Sequence, residues 1–363
     1  MNDSFNITAT SGATTTSIYI PEPFGMTVTR LTLFAVVFLA AVIGNFFVFT
    51  ASFRNRRLRT FSYCLIVNLA ISDFVSILGV PLLLVNEQLQ YAWIYGAFLC
   101  RFINPTQVVC GLVTTNVHVA IAIERYFSIV RPLHSPCKCQ KRYRGFVVVT
   151  LIWVAAVVCS LPAYTFRELY TFVSKSGVKM DFCIERFPPM GDIKYGWRHV
   201  YSVCLFFINY LFPISVSTAL YGNIFVFLKK TELKRKKSGR KVSQSSSKSV
   251  NNHTTDLERR FISMAIVIVV IFFFCYLPYQ VVFLLSEFNY GVKWPYFRIL
   301  LTVVYFLTWL PNALNPICYG AMDQRYAKAF RRIFTSLRDT SGKGNQTGSL
   351  SRGTLRRLTD DEV

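Results

Sequence analysis

The chain has 363 residues, of which 53% are hydrophobic and only 16% carry a charged side chain. This composition is too apolar for ordinary soluble domains and is typical of an integral membrane protein. The formal net charge of +22 could indicate a nucleic-acid-binding protein. The positions of the basic residues therefore have to decide between the two classes.

Seven long apolar segments predict seven membrane-spanning helices, because each is long enough to cross a hydrocarbon layer about 30 Å thick. The predicted spans are residues 31–53, 63–85, 97–123, 146–164, 200–228, 261–285 and 297–320. We expect the other six spans to be arranged around the third span. Cys100 lies near one end of this span, and Glu124 and Arg125 lie at its other end. The predicted fold is an all-α integral membrane protein, with a seven-transmembrane helix bundle in residues 29–322.

The basic residues lie mainly in the gaps after the odd-numbered spans and in the C-terminal tail; an example is the run from Lys234 to Lys237. Cytoplasmic loops attract positive charge, so this side is predicted to be inside. The N-terminus is then extracellular and the C-terminus cytoplasmic, in a multi-pass protein of the plasma membrane. The net charge is mainly a topology signal, and no nucleic-acid partner is predicted.

Residues 1–28 form a Thr- and Ser-rich segment without Lys or Arg. Asn2 and Asn6 each begin a glycosylation acceptor pattern. The segment is therefore predicted to be an extracellular, glycosylated N-terminal tail. Such patterns also arise by chance in Ser/Thr-rich tails, so whether the two sites carry glycans stays open.

Cys100 and Cys183 are the two of ten cysteines that fall at or beyond the predicted outer edge. A disulfide between them is compatible with that compartment and would tie the loop after the fourth span to the third span. Cys137 and Cys139 lie on the reducing side. A lone pair without a neighbouring His or Cys cluster indicates ordinary thiols, so no metal site is predicted.

The C-terminal region divides into two parts. Residues 323–337 predict a short amphipathic helix on the membrane surface, because Tyr326, Phe330 and Ile333 recur at helical spacing among basic residues. Residues 338–363 are polar and rich in Gly, Ser and Thr, and predict a disordered cytoplasmic tail. On the outer side, the long loop 167–198 is expected to form a hairpin over an open pocket.

A set of short motifs follows the seven predicted spans. They are Gly44-Asn45, Asn68-Leu-Ala-x-x-Asp73, Trp93-x-x-Gly96, Cys100, Glu124-Arg-Tyr126, Trp153, Pro213 with Tyr221, Phe272-x-x-Cys-x-x-Pro278 and Asn315-Pro-x-x-Tyr319. In this order and spacing, from about residue 29 to 336, the chain resembles the rhodopsin-like (class A) G-protein-coupled receptors, and among them the neuropeptide receptors. One such motif is weak, whereas the whole set leaves little room for coincidence.

The resemblance implies a switch at the inner end. Arg125 is expected to pair with Glu124 and, across to the sixth span, with Glu258. Ligand binding breaks this latch as the sixth span swings outward and a heterotrimeric G protein enters. The alternative is that the Arg125 side chain extends to the membrane–water interface and has no acidic partner. The other switch residues implied are Tyr126, Pro213, Tyr221, Phe272, Pro278, Asn315, Pro316 and Tyr319.

The resemblance also implies a buried polar cluster, which in this family commonly holds an allosteric sodium ion. Its members are Asp73, Thr114, Asn312 and Asn315. A carboxylate at mid-membrane depth is costly, which favours a functional role over packing alone. Pro311 stands where many members place a ligand-bearing side chain. Sodium therefore stays open, and no other cofactor is predicted.

Four residues are predicted to contact the ligand: Gln107, Tyr276, Trp309 and Glu287. Receptors for amines hold an Asp where Gln107 stands, and opsins hold the retinal-binding Lys where Trp309 stands, so neither ligand is expected. Tyr276 replaces the Trp of most members. Glu287 matches an acid of receptors for Arg-containing, amidated peptides and can pair with a ligand arginine. The alternatives are a helix-packing amide for Gln107 and a solvated charge for Glu287.

The predicted function is that of a receptor for an extracellular neuropeptide. A receptor for a lipid or other small molecule and a ligand-independent receptor stay open as alternatives. An enzyme is not predicted, because the sequence has no nucleophile-base or metal constellation. The resemblance implies arrestin and receptor kinases as further partners, and the C-terminal Val363 resembles the end of a PDZ ligand.

Overall fold

The computed structural model describes residues 22–58, 60–89, 91–131, 138–173, 177–189, 196–237, 247–290 and 294–342. Within these ranges, the side chains of residues 57, 138–142, 234–237, 247–258 and 337–342 are outside the description. The predicted glycosylation sites Asn2 and Asn6 and the C-terminal Val363 therefore lie outside the described residues. The side chain of Glu258, the predicted acid of the latch, also lies outside them.

Helices make up most of the described chain. They are α1 (Phe24–Arg54), α2 (Phe61–Gln88), α3 (Gly96–Val130), α4 (Lys138–Thr165), α5 (Trp197–Phe206), α6 (Phe212–Lys237), α7 (Ser247–Glu287), α8 (Phe297–Met322) and α9 (Gln324–Gly342). The strands β1 (Arg167–Val173) and β2 (Lys179–Glu185) pair antiparallel. A π-helical turn, Phe207–Leu211, joins α5 to α6, so that the two helices form one span.

The prediction of seven spans is confirmed. Seven helical segments of the described chain are long and apolar enough to cross a membrane. The sixth span is the part of α7 from Arg259 onward, and the seventh is α8. Large apolar side chains such as Phe46 and Phe274 are more than half exposed on the outside of the bundle. A lipid-facing surface accounts for this exposure.

The third span, α3, is the most deeply buried of the seven. Val109, Val113 and Val117 recur every four residues and are buried, so they form its packed face. Its neighbours include α2, α4, α6 and α7. The arrangement of the bundle around this span agrees with the sequence prediction.

Two predicted boundaries differ from the observed helices. α1 begins at Phe24, directly after Pro23, and so includes residues assigned to the tail that was predicted to end at residue 28. Proline presets a helical φ and suits a helix start. At the other end, α9 continues to Gly342, beyond the predicted end at residue 337. The sequence has no proline or glycine between Gln324 and Gly342 that would stop the helix earlier.

Several motif residues hold the helices in register. The Asn45 side chain donates to the backbone oxygen of Asn312 at 2.9 Å, which joins α1 to α8. The Trp153 indole N–H donates to Asn68 Oδ1 at 2.7 Å, which joins α4 to α2. Gly44 permits the α1–α8 contact, because a Cβ at this position would lie 2.7 Å from the Cβ of Pro316.

Candidate functional site

The end of the bundle that carries Cys100 is called the outer end here, and the end that carries Arg125 the inner end. At the outer end, Cys100 at the start of α3 is bonded to Cys183 of β2, which confirms the predicted disulfide. Trp93 also donates its backbone N–H to the Asp181 carbonyl at 2.6 Å. The β1–β2 hairpin, formed as expected, is thus fixed at two points beside α3.

Glu287, a predicted ligand contact at the outer end of α7, forms an ion pair within the chain. Its Oε1 lies 2.7 Å from Nε of Arg198, near the start of α5, and its Oε2 lies 3.4 Å from a terminal nitrogen of the same guanidinium. The Glu287 side chain is only 4% exposed, whereas that of Arg198 is 52% exposed. The alternative of a solvated charge does not hold, because the carboxylate is buried and paired.

Gln107 lies against α2, where Ser76 binds both ends of its amide. Ser76 Oγ donates to Gln107 Oε1 at 2.7 Å, and Gln107 Nε2 donates to the Ser76 backbone oxygen at 2.9 Å. Gly79 leaves room for this amide, because a Cβ there would lie 2.7 Å from Nε2. The geometry favours the helix-packing alternative, and a ligand contact of Gln107 stays a prediction.

The two predicted aromatic contacts belong to a larger set of rings. Tyr276 stacks on Phe272, with ring centroids 4.1 Å apart. Trp309 lies near Tyr305, with ring centroids 6.2 Å apart, and Tyr305 in turn meets Tyr279 of α7 at 4.8 Å. Tyr279 and Tyr305 were not among the residues predicted from the sequence. Helical spacing could have found Tyr305, because it precedes Trp309 by four residues and so shares its face.

A second ion network at the outer end was also missed. Arg30 of α1 lies 2.8 Å from Glu22 and 3.3 Å from Glu87 of α2, and Thr302 of α8 donates to Glu87. Burial raises the pKa of the nearby Tyr91 phenol, and the charge of Glu87 raises it further. Arg30 and Glu87 are 57 residues apart, so no local pattern links them.

The predicted polar cluster is only partly brought together by direct bonds. Asn315 donates to Asp73 at 2.8 Å, as a shared cluster requires. Within the described chain, the Thr114 hydroxyl pairs with Ser72, at 3.2 Å, and the Asn312 backbone is bound by Asn45. Ser72 and Asn45 are therefore further members of the cluster.

The oxygen atoms of this cluster suit a hard cation in their chemistry. Among the described residues, the side-chain oxygens of Asn45 and Asn315 are buried without a hydrogen-bond partner. Asp73 would supply the negative charge, whereas Pro311 supplies no side-chain oxygen. The residues fit a sodium ion, and its binding stays a prediction.

At the inner end, Arg125 contacts three helices. Its Nε lies 2.8 Å from Glu124 Oε2 in α3, although these two buried atoms make no hydrogen bond within the described chain. A terminal nitrogen donates to Ser62 of α2. The guanidinium carbon lies 3.9 Å from the centroid of the Phe261 ring of α7. The predicted Glu124 contact is present, whereas the pairing with Glu258 lies outside the described residues.

The other predicted switch residues surround the middle and inner parts of the bundle. Tyr221 and Tyr319 line a cavity of about 10 Å³ together with His118 of α3. In the described chain, the two hydroxyls and His118 Nε2 are buried without hydrogen-bond partners. His118 was missed, although a lone histidine in an apolar span is a visible signal. Pro213 follows the π turn that ends at Leu211, a feature often found at functional sites. Tyr126 is partly buried beside Phe127.

Asp323 joins α2 to the start of α9. Its Oδ2 accepts the Tyr63 hydroxyl at 2.6 Å, and its Oδ1 accepts the backbone N–H groups of Arg325 and Tyr326 at 2.7 and 3.1 Å. The second contact caps the helix, and such a cap stabilises a helix by about 1 kcal/mol.

Replacing Asp323 by alanine should therefore loosen α9. We expect the amides of Arg325 and Tyr326 to exchange hydrogen about 5 to 10 times faster, as measured by hydrogen–deuterium exchange. Tyr63→Phe removes the hydroxyl contact and leaves the cap, so it serves as the matched control. Equal exchange in Asp323→Ala and the unaltered protein would contradict the role of Asp323 as a cap.

Comparison with known proteins decides the family. The model of the family "7 transmembrane receptor (rhodopsin family)" matches residues 44–319. The chain belongs to the rhodopsin family of seven-transmembrane receptors. The matched region of the receptor begins at Gly44 and ends at Tyr319, and it contains the disulfide, Arg125 and the polar cluster. The family is one of receptors, which agrees with the prediction that the protein is not an enzyme.

The receptor is similar to several peptide receptors along most of their length. It is 28% identical to a QRFP-like peptide receptor of Branchiostoma floridae over 86% of its own chain and 79% of the relative. It is 28% identical to a RYamide receptor of Tribolium castaneum, over 84% of its own chain and 80% of the relative. It is 27% identical to galanin receptor type 1 of Rattus norvegicus, over 86% of its own chain and 85% of the relative.

Proposed function

We propose that this receptor binds an extracellular neuropeptide with a cationic side chain and activates a heterotrimeric G protein. The receptor lies in the plasma membrane with its N-terminus outside and its C-terminus in the cytoplasm, as the basic residues of the inner gaps indicate. The relatives support a peptide ligand, since they are named as receptors for a QRFP-like peptide, RYamide and galanin.

The ion pair between Glu287 and Arg198 is the observation that carries the proposal. A buried carboxylate holds a guanidinium that is itself half exposed. A guanidinium of an incoming peptide can take the same place, because it offers the same planar set of donors. The exchange leaves the carboxylate paired throughout and releases Arg198 to water.

Two other outer carboxylates are less suited to this exchange. Glu87 is paired with Arg30, which is 8% exposed, and Glu185 is paired with Arg167, which is 15% exposed. Releasing Arg167 would leave a largely buried charge without its partner, which is strongly destabilising. Arg30 is also held by Glu22 at 2.8 Å and has little access to water, so it is not free to leave the site. Glu287 is therefore the carboxylate that we assign to the ligand.

Signalling follows from a change at the inner end. We propose that the peptide stabilises a state in which α7 moves outward and releases Arg125, so that a G protein can bind. A pairing of Arg125 with Glu258 belongs to this proposal, as does an allosteric sodium ion at Asp73. Arrestin and receptor kinases are proposed partners of the C-terminal tail, and a PDZ domain is a proposed partner of Val363.

The test is a signalling screen of amidated peptides with and without arginine in cells. For a peptide that signals through its arginine, Glu287→Gln should lower the potency by about 30-fold or more, because it removes one partner of a buried charge pair. Arg198→Gln should preserve or raise the potency, because it frees the carboxylate. Glu168→Gln is the matched control, since Glu168 pairs with Arg186 in an exposed position.

A peptide analogue with citrulline in place of arginine completes the test. It should be weak on the unaltered receptor and insensitive to Glu287→Gln. An equal effect of Glu287→Gln on both peptides would contradict the assigned contact, and responses to lipids alone would contradict a peptide ligand. An N-terminal epitope, detected on intact cells, measures the surface receptor and tests the orientation.

A further inference from the structure

We propose that Phe261 of α7 holds Arg125 in the resting receptor through a cation–π contact. The inference rests on the proposed function in one respect, which is that the release of Arg125 opens the G-protein site. It names an aromatic residue of the sixth span as a second part of the latch, in addition to the Glu258 pairing proposed above.

The geometry of the contact is close and largely shielded from water. The guanidinium carbon of Arg125 lies 3.9 Å from the Phe261 ring centroid, well inside the range of about 6 Å in which such contacts are attractive. The Phe261 residue is 4% exposed, and the Arg125 side chain is 12% exposed. A cation over a ring is held more strongly when both are removed from water.

The other contacts of Arg125 do not hold α7. Glu124 belongs to α3, as Arg125 does, so its ion pair is unaffected when α7 moves. Ser62 belongs to α2, so its contact with Arg125 does not involve α7. Phe261 is therefore the contact, among those described for Arg125, that resists an outward movement of α7.

Phe261 is itself fixed from a second direction. The Tyr63 ring of α2 meets it at an angle of 82°, with ring centroids 5.5 Å apart, which is a favourable edge-to-face arrangement. The Tyr63 hydroxyl donates to Asp323 at 2.6 Å, and Arg325 lies over the Tyr63 ring at 5.5 Å. Phe261 is thus placed against two side chains that other helices hold in position.

This latch has a chemical property that a salt bridge lacks. It needs a ring on α7 but no negative charge there. Glu258 precedes Phe261 by three residues, which is about one helical turn. The two positions can therefore be tested separately, one by removing a ring and the other by removing a charge.

The test compares single variants of the full-length receptor in lipid nanodiscs without ligand. Spin labels at Tyr143, on the inner end of α4, and at Arg260 of α7 report the separation of the two helices, with the accessible native cysteines replaced by serine. Phe261→Leu should increase the population with a wide separation by about 5-fold to 30-fold, because it removes the ring and keeps an apolar side chain. Ligand-independent nucleotide exchange by added G proteins should rise with it.

Matched variants separate the ring from the charge and from packing. Phe261→Tyr keeps the ring and should preserve the resting distance. Phe274→Leu makes the same change at an exposed position of α7, so it should have no effect. If Phe261→Leu leaves the distances unchanged while Glu258→Gln widens them, the latch is ionic and the proposal is overturned. If Phe261→Leu and Phe261→Tyr widen the distances equally, packing accounts for the effect and the proposal is also overturned.

The two readouts distinguish this inference from the proposed function. A shift in distance without nucleotide exchange by any G protein supports the latch and contradicts coupling to the G proteins tested. Exchange that responds to ligand, together with unchanged distances in Phe261→Leu, supports the proposed function and overturns the latch.

Discussion

Replacing both Cys100 and Cys183 by serine is expected to lower the thermal unfolding midpoint of the purified receptor by about 3 to 5 °C. The disulfide closes a loop of 83 residues, and a cross-link of this kind typically stabilises a protein by about 2–4 kcal/mol. Without it, the hairpin is held at the outer end by weaker contacts, such as the bond from Trp93 to Asp181. Differential scanning fluorimetry in detergent measures the change.

Cys204→Ser is the matched control for this prediction, because Cys204 is a free and exposed cysteine. It should leave the midpoint unchanged. A reducing agent should lower the midpoint of the unaltered receptor and leave that of the double variant where it is. Equal midpoints for the double variant and the unaltered receptor would show that the cross-link contributes no stability.

Replacing Gly44 by alanine is expected to destabilise the bundle by about 1–3 kcal/mol. The added Cβ would lie 2.7 Å from Pro316 Cβ and 2.9 Å from its Cγ, closer than the optimal carbon contact of about 3.5–4.0 Å. The proline ring is rigid, so α1 and α8 must separate. Their separation also stretches the neighbouring bond from Asn45 to Asn312. The unfolding midpoint should fall by about 1 to 4 °C.

Gly222→Ala makes the same chemical change as Gly44→Ala, but it is expected to stabilise the receptor. A Cβ at Gly222 meets nothing within 4 Å, and Gly222 lies inside α6. Alanine should therefore stabilise this helix by about 0.5–1 kcal/mol. If both alanine variants shift the midpoint in the same direction, the close approach of α1 to Pro316 does not govern the stability at Gly44.

The number and order of the spans could be predicted from the residues alone, because a helix that crosses the hydrocarbon layer needs about twenty consecutive apolar residues. The disulfide could also be predicted, since compartment and position left Cys100 and Cys183 as candidates. The motif residues Asp73 and Asn315 were both identified, and the structure joins them by a hydrogen bond. These features depend on residue type at a given depth in the membrane.

The side chains that meet across the bundle could not be predicted in this way. Gln107 is bound by Ser76, Glu287 by Arg198, and the Arg125 guanidinium by the Phe261 ring. Each pair joins two helices whose rotation and spacing depend on close approaches such as that of Gly44 to Pro316. Hydropathy and motif spacing describe one helix at a time, so they place a charge at a helix end without showing its partner. A contact between two helices can be known only when the close packing of all the neighbouring helices is known.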